Sequence, residues 1–166
     1  DNGHSFTKTS NGPILDRNIV DPFAIGNVSI LIENGLWRMW YMSYNKWEVV
    51  QGMAEPYYNI KYAESEDGAN WDRKGIVCID FKNETEAGIA RPHVIKENGI
   101  YKMFYSYRTA VNYRKDKSES YRMGYAESKD GLIWIRKDED AGIETSDEGW
   151  DSEMIAYPYI YKHKDK

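Results

Sequence analysis

Three charged residues stand just ahead of three similar apolar runs in this chain of 166 residues. Asp21 precedes the first run, Arg91 the second and Glu153 the third. Two carboxylates that face one substrate can divide the work of a proton donor and of a base or nucleophile. An arginine can bind hydroxyl groups or hold a carboxylate with its planar guanidinium. Because the three residues recur at the same place, we predict that they are functional.

Each of the three residues also has a structural interpretation. Asp21 begins an Asp-Pro dipeptide, which commonly caps a turn. Glu153 follows an acidic linker and can be an exposed linker carboxylate, although Trp150 and Met154 beside it suggest an apolar setting suited to a proton donor. Arg91 can form a structural ion pair between repeats. For Asp21 and Glu153 we expect a position outside the apolar core.

Secondary candidates for substrate binding are Asp151 and His93, although a single histidine is more often a structural residue. The spacing of His, Cys, Asp and Glu predicts no metal site, and no glycine-rich phosphate loop or Ser-His-Asp pattern is present. We therefore expect no cofactor.

Two long loops are predicted between strands, over residues 45–57 and 109–120. Long loops on a rigid scaffold often determine specificity. The residues expected at the rim of a substrate site are Trp47, Arg108, Tyr113 and Arg114.

The segments that must position these residues occur twice in the sequence. Asn34-Gly35 and Asn98-Gly99 are 64 positions apart, and Trp71 and Trp134 are 63 apart. A fixed long period predicts a repeat architecture.

Each copy has the pattern of a four-stranded antiparallel sheet with Asn-Gly and Asp-Gly turns. In the first copy the predicted strands cover residues 28–32, 37–44 and 58–64 and a fourth begins at Trp71, with turns at Asn34-Gly35 and Asp67-Gly68. Four-stranded sheets that stack radially form a β-propeller. Residues 157–162 restart the pattern and predict the opening of a third sheet.

The second copy combines the Asn-Gly turn with YKMFYS at residues 101–106 and YAESKDGLIW at residues 125–134. This pattern resembles the five-bladed propeller glycosidases, which include invertases, levansucrases, arabinanases and xylosidases. The resemblance covers nearly all of residues 13–160. It implies an all-β, five-bladed propeller of four-stranded antiparallel blades, of which this chain supplies two and a fraction. The implied divisions of the single partial domain are an N-terminal arm at 1–26, blades at 27–80 and 89–137, and the start of a third blade at 150–166.

The resemblance also implies roles for the charged residues. Asp21 would be the nucleophile or base, Glu153 the general acid, and Arg91 a ligand of substrate hydroxyls or of a carboxylate. In invertase-like members an acid stands between the Arg and the Pro of the second blade, whereas here Pro92 follows Arg91 directly. Two functions stay open: a glycoside hydrolase or transglycosidase, and a non-catalytic sugar-binding or scaffold propeller of polysaccharide metabolism.

The amino-acid composition limits the kinds of binding partner that the protein can have. A net charge of −5 argues against nucleic acid, and no apolar run is long enough to span a membrane. Fourteen Tyr and six Trp suit propeller packing and can also line a carbohydrate site. Cys78 is the single cysteine, so no internal disulfide forms, and the compartment stays open. A five-bladed ring needs roughly twice this length, so we expect a missing segment or a second chain to complete it.

Overall fold

The computed structural model describes residues 3–163 and is built almost entirely of β-strands. This confirms the all-β prediction. The strands are β1 Ala24–Glu33, β2 Leu36–Val50, β3 Met53–Ser65, β4 Val77–Ile79, β5 Glu86–Glu97, β6 Ile100–Thr109, β7 Arg122–Ser128 and β8 Ile135–Arg136. Two short 3₁₀ helices cover Lys117–Glu119 and Asp138–Asp140.

The strands form two antiparallel four-stranded units. β1 to β4 pair in chain order, and β5 to β8 do the same. The two units, called here the first and second blade, are joined by a parallel bridge between Tyr58 and Gly88.

The turns form where the sequence predicts them. Asn34 and Gly35 have φ values of 52° and 83°, and Asn98 and Gly99 have 52° and 79°, as a two-residue hairpin turn requires. In the second blade the Asp130 carboxylate accepts hydrogen bonds from the backbone N–H groups of Leu132 and Ile133 at 2.8 and 2.9 Å. Asp67 does the same in the first blade.

Residues 45–57 are strand rather than the predicted loop. β2 and β3 continue as one long hairpin to a turn at Gln51 and Gly52, whose φ values of 51° and 79° permit a two-residue connection. By contrast, residues 110–121 between β6 and β7 are irregular apart from the first 3₁₀ helix, as predicted.

The segment expected to open a third blade has no strand within the described residues. It lies against the second blade, where the backbone N–H of Tyr157 donates to the hydroxyl of Ser106 at 2.7 Å and that of Ile155 donates to the carbonyl of Tyr121 at 3.2 Å. A strand needs a neighbouring strand with which to exchange backbone hydrogen bonds, and the described chain supplies none beyond this point.

The main core lies where the two blades pack face to face. Trp40 is fully buried there and donates from its indole Nε1 to the carbonyl of Gly131 at 2.8 Å. The backbone N–H of Val94 donates to the hydroxyl of Ser29 at 2.9 Å, which joins β5 of the second blade to β1 of the first. The other buried members of this core are Ile60, Tyr62, Cys78, Ile79, Ile89, Tyr101, Met103, Tyr105 and Ala126.

Among residues 3–163 we find no helix whose length and apolar character would let it cross a membrane.

Candidate functional site

A strained backbone position recurs in β1, in β5 and in the segment that follows the second blade. Asn27, Arg91 and Tyr157 have φ values of 41°, 55° and 65°. β1 and β5 are bulged at these positions, between Gly26 and Val28 and between Ala90 and His93. A non-glycine residue in this region costs of the order of 1–3 kcal/mol, and such residues cluster at ligand sites.

The recurring position has a sequence signal. The residues ahead of the strained one read Ile-Gly at 25–26, Ile-Ala at 89–90 and Ile-Ala again at 155–156. This short repeat marks the same strained position in both blades and in the segment after the second blade. The repeat could therefore have identified Tyr157 as a candidate. Of the three charged candidates, only Arg91 occupies one of the strained positions.

Five aromatic side chains form a continuous row across the two blades, which we call the aromatic tract. Trp47 stacks on Tyr44 with ring centroids 6.1 Å apart, and Tyr44 contacts Tyr58 at 5.0 Å. The hydroxyls of Tyr58 and Tyr121 share a hydrogen bond of 2.7 Å, and the rings of Tyr121 and Tyr157 are 6.2 Å apart. Trp47 and Tyr157, at the two ends, are 51% and 57% exposed. The tract therefore presents ring surface to solvent at both ends.

The elements that place the tract explain why only Trp47 is among the predicted site residues. Tyr44 and Trp47 lie on the long β2 arm, Tyr58 lies on β3, Tyr121 directly precedes β7, and Tyr157 occupies the third strained position. Tyr58 and Tyr121, which contact each other across the two blades, are 63 residues apart in the sequence. Only the packing of one blade on the other brings them together.

Arg108 lies beneath the tract and not at the rim where the sequence places it. Its side chain is 1% exposed, and Nε donates to the hydroxyls of Tyr58 at 3.1 Å and Tyr121 at 3.3 Å. A buried guanidinium needs a compensating charge and full hydrogen bonding. Glu55 supplies the charge at 3.7 Å, and the Tyr113 ring covers the guanidinium at 3.8 Å. Arg108 thus holds tyrosines of both blades in one position.

Glu55 also fixes the loop between β6 and β7. Its carboxylate, which is almost fully buried, forms an ion pair with Arg114 of that loop. The Arg114 side chain is itself 56% exposed, so it reaches inward from the surface of the loop. The pair joins the long hairpin of the first blade to the loop of the second.

Glu153 is exposed and lines an open cavity of about 330 Å³ beside the second blade. Its backbone carbonyl accepts a hydrogen bond from Arg122 at 3.3 Å. The apolar setting expected from Trp150 is not formed, because Trp150 is 95% exposed. The other residues of the cavity wall are Tyr113, Arg114, Lys115, Asp116, Lys117, Ser120, Tyr121 and Met154.

Asp21 is fully buried, contrary to the expectation that it lies outside the core. Its carboxylate accepts hydrogen bonds from Tyr41 at 3.0 Å, Ser43 at 2.7 Å, Lys61 at 3.2 Å and Arg73 at 3.0 Å. Burial alone would raise the pKa of Asp21. The Ser43 hydrogen bond and the charge and hydrogen bond of Lys61, with that of Tyr41, outweigh it and hold the pKa below the ordinary value.

Asp21 and Glu153 lie beside different blades. Tyr41 and Ser43 alternate along β2 with Trp40, which faces the second blade. Asp21 therefore lies on the far face of the first blade. Glu153 instead lies beside the second blade and adjoins the tract through Tyr121.

The remaining predicted residues divide between the tract and its surroundings. Arg91 is exposed, and its guanidinium lies 4.8 Å from the centre of the Tyr157 ring. His93 contacts Tyr159 at 4.5 Å, and burial lowers its pKa against the opposing effect of a backbone hydrogen bond at Ile160. Asp151 accepts a hydrogen bond from Ser146 within the linker at 2.9 Å. No group of His, Cys, Asp and Glu among residues 3–163 is arranged to hold a metal ion.

Solved structures similar to this chain include two glycoside hydrolases. A family 117 glycoside hydrolase of the marine bacterium Zobellia galactanivorans superposes with a TM-score of 0.64 at 19% identity, over 84% of this chain and 45% of that one. The GH43_1 enzyme of Xanthomonas citri, solved with xylotriose, gives 0.54 at 10% identity over 76% and 34%. The chain has the fold of the glycoside hydrolase propellers.

Two proteins similar to this chain in sequence have no stated activity. Two proteins of Mycobacterium tuberculosis, from strains H37Rv and CDC 1551 and both called uncharacterized, are 33% identical over 162 residues. The alignment covers 98% of this chain and 50% of each relative, so the chain spans about half the length of the curated relatives it matches. No protein-family model matches the chain.

Proposed function

We propose that this protein is a glycoside hydrolase or transglycosidase that holds its saccharide against the aromatic tract. The observation that carries the proposal is the row of rings from Trp47 to Tyr157, exposed at both ends and fixed from below by Arg108. Flat aromatic rings cover the apolar faces of sugar rings, while hydroxyl groups at their edges fix the orientation. The glycoside hydrolase fold supports a carbohydrate as the ligand.

Glu153 is the proposed general acid. The cavity that it lines shares Tyr121 with the tract, so a saccharide that lies on the tract and extends past Tyr121 reaches this carboxylate. Cleavage of a glycosidic bond also requires a base or nucleophile. The pairing of Glu153 with Asp21 stays a prediction, because Asp21 must become accessible to act. A separation of about 5 Å between the two carboxyl groups would predict retention, and roughly 6.5–9.5 Å inversion.

The closed ring belongs to the same proposal. Five blades, completed by a further segment or by a second chain, would surround the innermost strands β1 and β5 and enclose the tract at the axis. Arg91, at a strained position of β5, would then face the substrate.

A sugar-binding propeller without catalysis is the second candidate. Two observations favour it: Asp21 is enclosed by four hydrogen-bond donors, and no acid separates Arg91 from Pro92. Such a protein would use the same tract and would release no product.

Substitution of Glu153 separates the two candidates. Glu153→Gln should lower the rate of sugar release by a factor of about 10²–10⁴, because a positioned proton donor contributes that much, and should leave saccharide binding intact. Glu148→Gln, at an exposed acid of the same linker, is the control and should change neither. Reducing-end release and calorimetric binding, measured over a panel of oligosaccharides, supply the readouts.

The outcomes differ for each candidate. Binding that is lost in Trp47→Ala, without product from any saccharide, would favour the sugar-binding protein. No saccharide binding at all would reject both.

A further inference from the structure

Arg91 and Tyr157 are in contact, and the backbone of each is held in a strained conformation. Both residues occupy the left-handed backbone region, and the two sit at equivalent strained positions, one in β5 and one in the segment after the second blade. The Arg91 guanidinium lies 4.8 Å from the centre of the Tyr157 ring. The backbone of Tyr157 is held in turn by its hydrogen bond to Ser106. Strain of this kind persists only where surrounding contacts impose it.

The charge of Arg91 is not neutralised within residues 3–163. Two other arginines near the tract, Arg108 and Arg114, both face Glu55, whereas Arg122 donates to backbone carbonyls, including that of Tyr121 at 2.9 Å. Arg91 forms no such ion pair with a described carboxylate, although the chain is acidic overall, with a net charge of −5. The contact with Tyr157 orients the guanidinium and leaves its hydrogen-bonding edge and its full charge available.

An exposed guanidinium beside an exposed ring is suited to an anionic sugar. The planar fork of arginine matches a carboxylate, sulfate or phosphate ester with two parallel hydrogen bonds, and these charge-assisted bonds are stronger than bonds to neutral hydroxyls. The Tyr157 ring, 57% exposed, offers the adjoining apolar surface to the sugar itself.

We infer that Arg91 and Tyr157 form a subsite that selects a saccharide bearing an anionic group. The inference rests on the proposed function, since it assigns a substrate class to one end of the aromatic tract. It goes beyond that function because a neutral saccharide would need only the rings.

A set of matched oligosaccharides tests the subsite. The probes are oligosaccharides of equal length in four forms: neutral, carrying a uronic acid, carrying a sulfate ester and carrying a phosphate ester. The wild-type protein should bind at least one anionic form about 10-fold or more tighter than its neutral counterpart, as a charge-assisted pair provides. The preference should weaken when the salt concentration rises from 0.05 to about 0.5 M, since salt screens exposed charges.

Variants of the arginine identify the residue that reads the charge. Arg91→Gln should abolish the preference for the anionic form, because it should lower affinity for that form about 10-fold more than affinity for the neutral form. Arg91→Lys should restore part of the preference, because it keeps the charge and loses the planar fork. Arg17→Gln, at an exposed arginine of the N-terminal arm, has the same change in charge and should keep the full preference.

The outcomes distinguish failure of the anionic subsite from failure of the proposed function. Equal affinity for neutral and anionic forms, or an anionic preference that survives in Arg91→Gln, overturns the subsite and leaves the proposed function standing. Absence of binding to every form overturns the proposed function as well.

Discussion

At the scale of single residues, Asp21 illustrates how much depends on distant partners. The Asp-Pro dipeptide predicts either a turn cap or a catalytic carboxylate, and both interpretations place it near the surface. The structure encloses it because Tyr41, Lys61 and Arg73, which lie 20, 40 and 52 positions away, all converge on its carboxylate. No local sequence pattern specifies such a convergence, so the burial of Asp21 could not be predicted.

Substitution of Asp21 should therefore destabilise the protein. Asp21→Asn removes the negative charge that pairs with Lys61 and Arg73 within residues 3–163, and loss of one partner from a buried ion pair costs about 3–5 kcal/mol. The pKa of Asp21 is depressed in the folded state, so its contribution is complete above the ordinary pKa of 3.8 and is lost as pH falls through the folded value. The difference in unfolding free energy between wild type and Asp21→Asn should thus be constant from pH 7 to about 5 and narrow below about pH 4.

Denaturant unfolding at several pH values measures this difference. Asp16→Asn, at an exposed acid of the same arm, is the matched control and should unfold like the wild type. An Asp21→Asn protein of unchanged stability at pH 7 would show that the carboxylate is not ionised or not enclosed as described.

At the scale of elements, the turns were predictable and the length of one hairpin was not. Asn-Gly and Asp-Gly dipeptides determine turns locally, because their backbone conformations suit few other residues. The extension of β2 and β3 beyond residue 45 depends instead on cross-strand pairs such as Trp47 with Pro56 and Glu48 with Glu55. A proline and two acids give weak strand signals, so pairing with the partner strand decides the structure.

Two glycines have almost the same backbone conformation but different surroundings. Replacing each with alanine therefore distinguishes the cost of backbone strain from the cost of packing between the blades. Gly99 and Gly131 have φ values of 79° and 78°, so alanine at either position costs about 1–2 kcal/mol in strain. A Cβ at Gly99 meets nothing within 4 Å, whereas at Gly131 it lies 3.1 Å from Trp40 and 3.2 Å from Arg38. Gly131→Ala should therefore destabilise the protein by a further 1–3 kcal/mol, roughly the cost of overpacking.

Thermal and denaturant unfolding of both variants give the comparison. The packing contact between the blades accounts for the difference, since the Gly131 carbonyl also accepts the hydrogen bonds of Trp40 and Trp134 at 2.8 and 3.0 Å. Equal losses of stability in the two variants would mean that the blades separate easily at this point.

At the scale of the whole molecule, the sequence period predicts the stacking of like units but not its closure. The repeat places Trp40 and Gly131 in different copies, and their contact follows from packing one sheet on the next. The number of blades is a property of the complete ring, which two copies cannot determine. Residues 155–157 are anchored on the second blade by the backbone hydrogen bonds of Ile155 and Tyr157.

The first blade carries an apolar face that a neighbouring sheet would cover in a ring. Val28, Ile30 and Ile32 alternate along β1 and are 53%, 39% and 56% exposed. Faces of this kind drive association, so the chain should self-associate in a concentration-dependent way.

Ile30→Glu combined with Ile32→Glu should shift the protein towards monomer, because burial of the charges would be costly. Val49→Glu, at a 77% exposed position near the tip of the β2–β3 hairpin, is the control for added charge and should not change the association. Sedimentation velocity over a hundredfold range of concentration measures both effects, and a wild-type chain that stays monomeric throughout would contradict the assignment of this face as an interface.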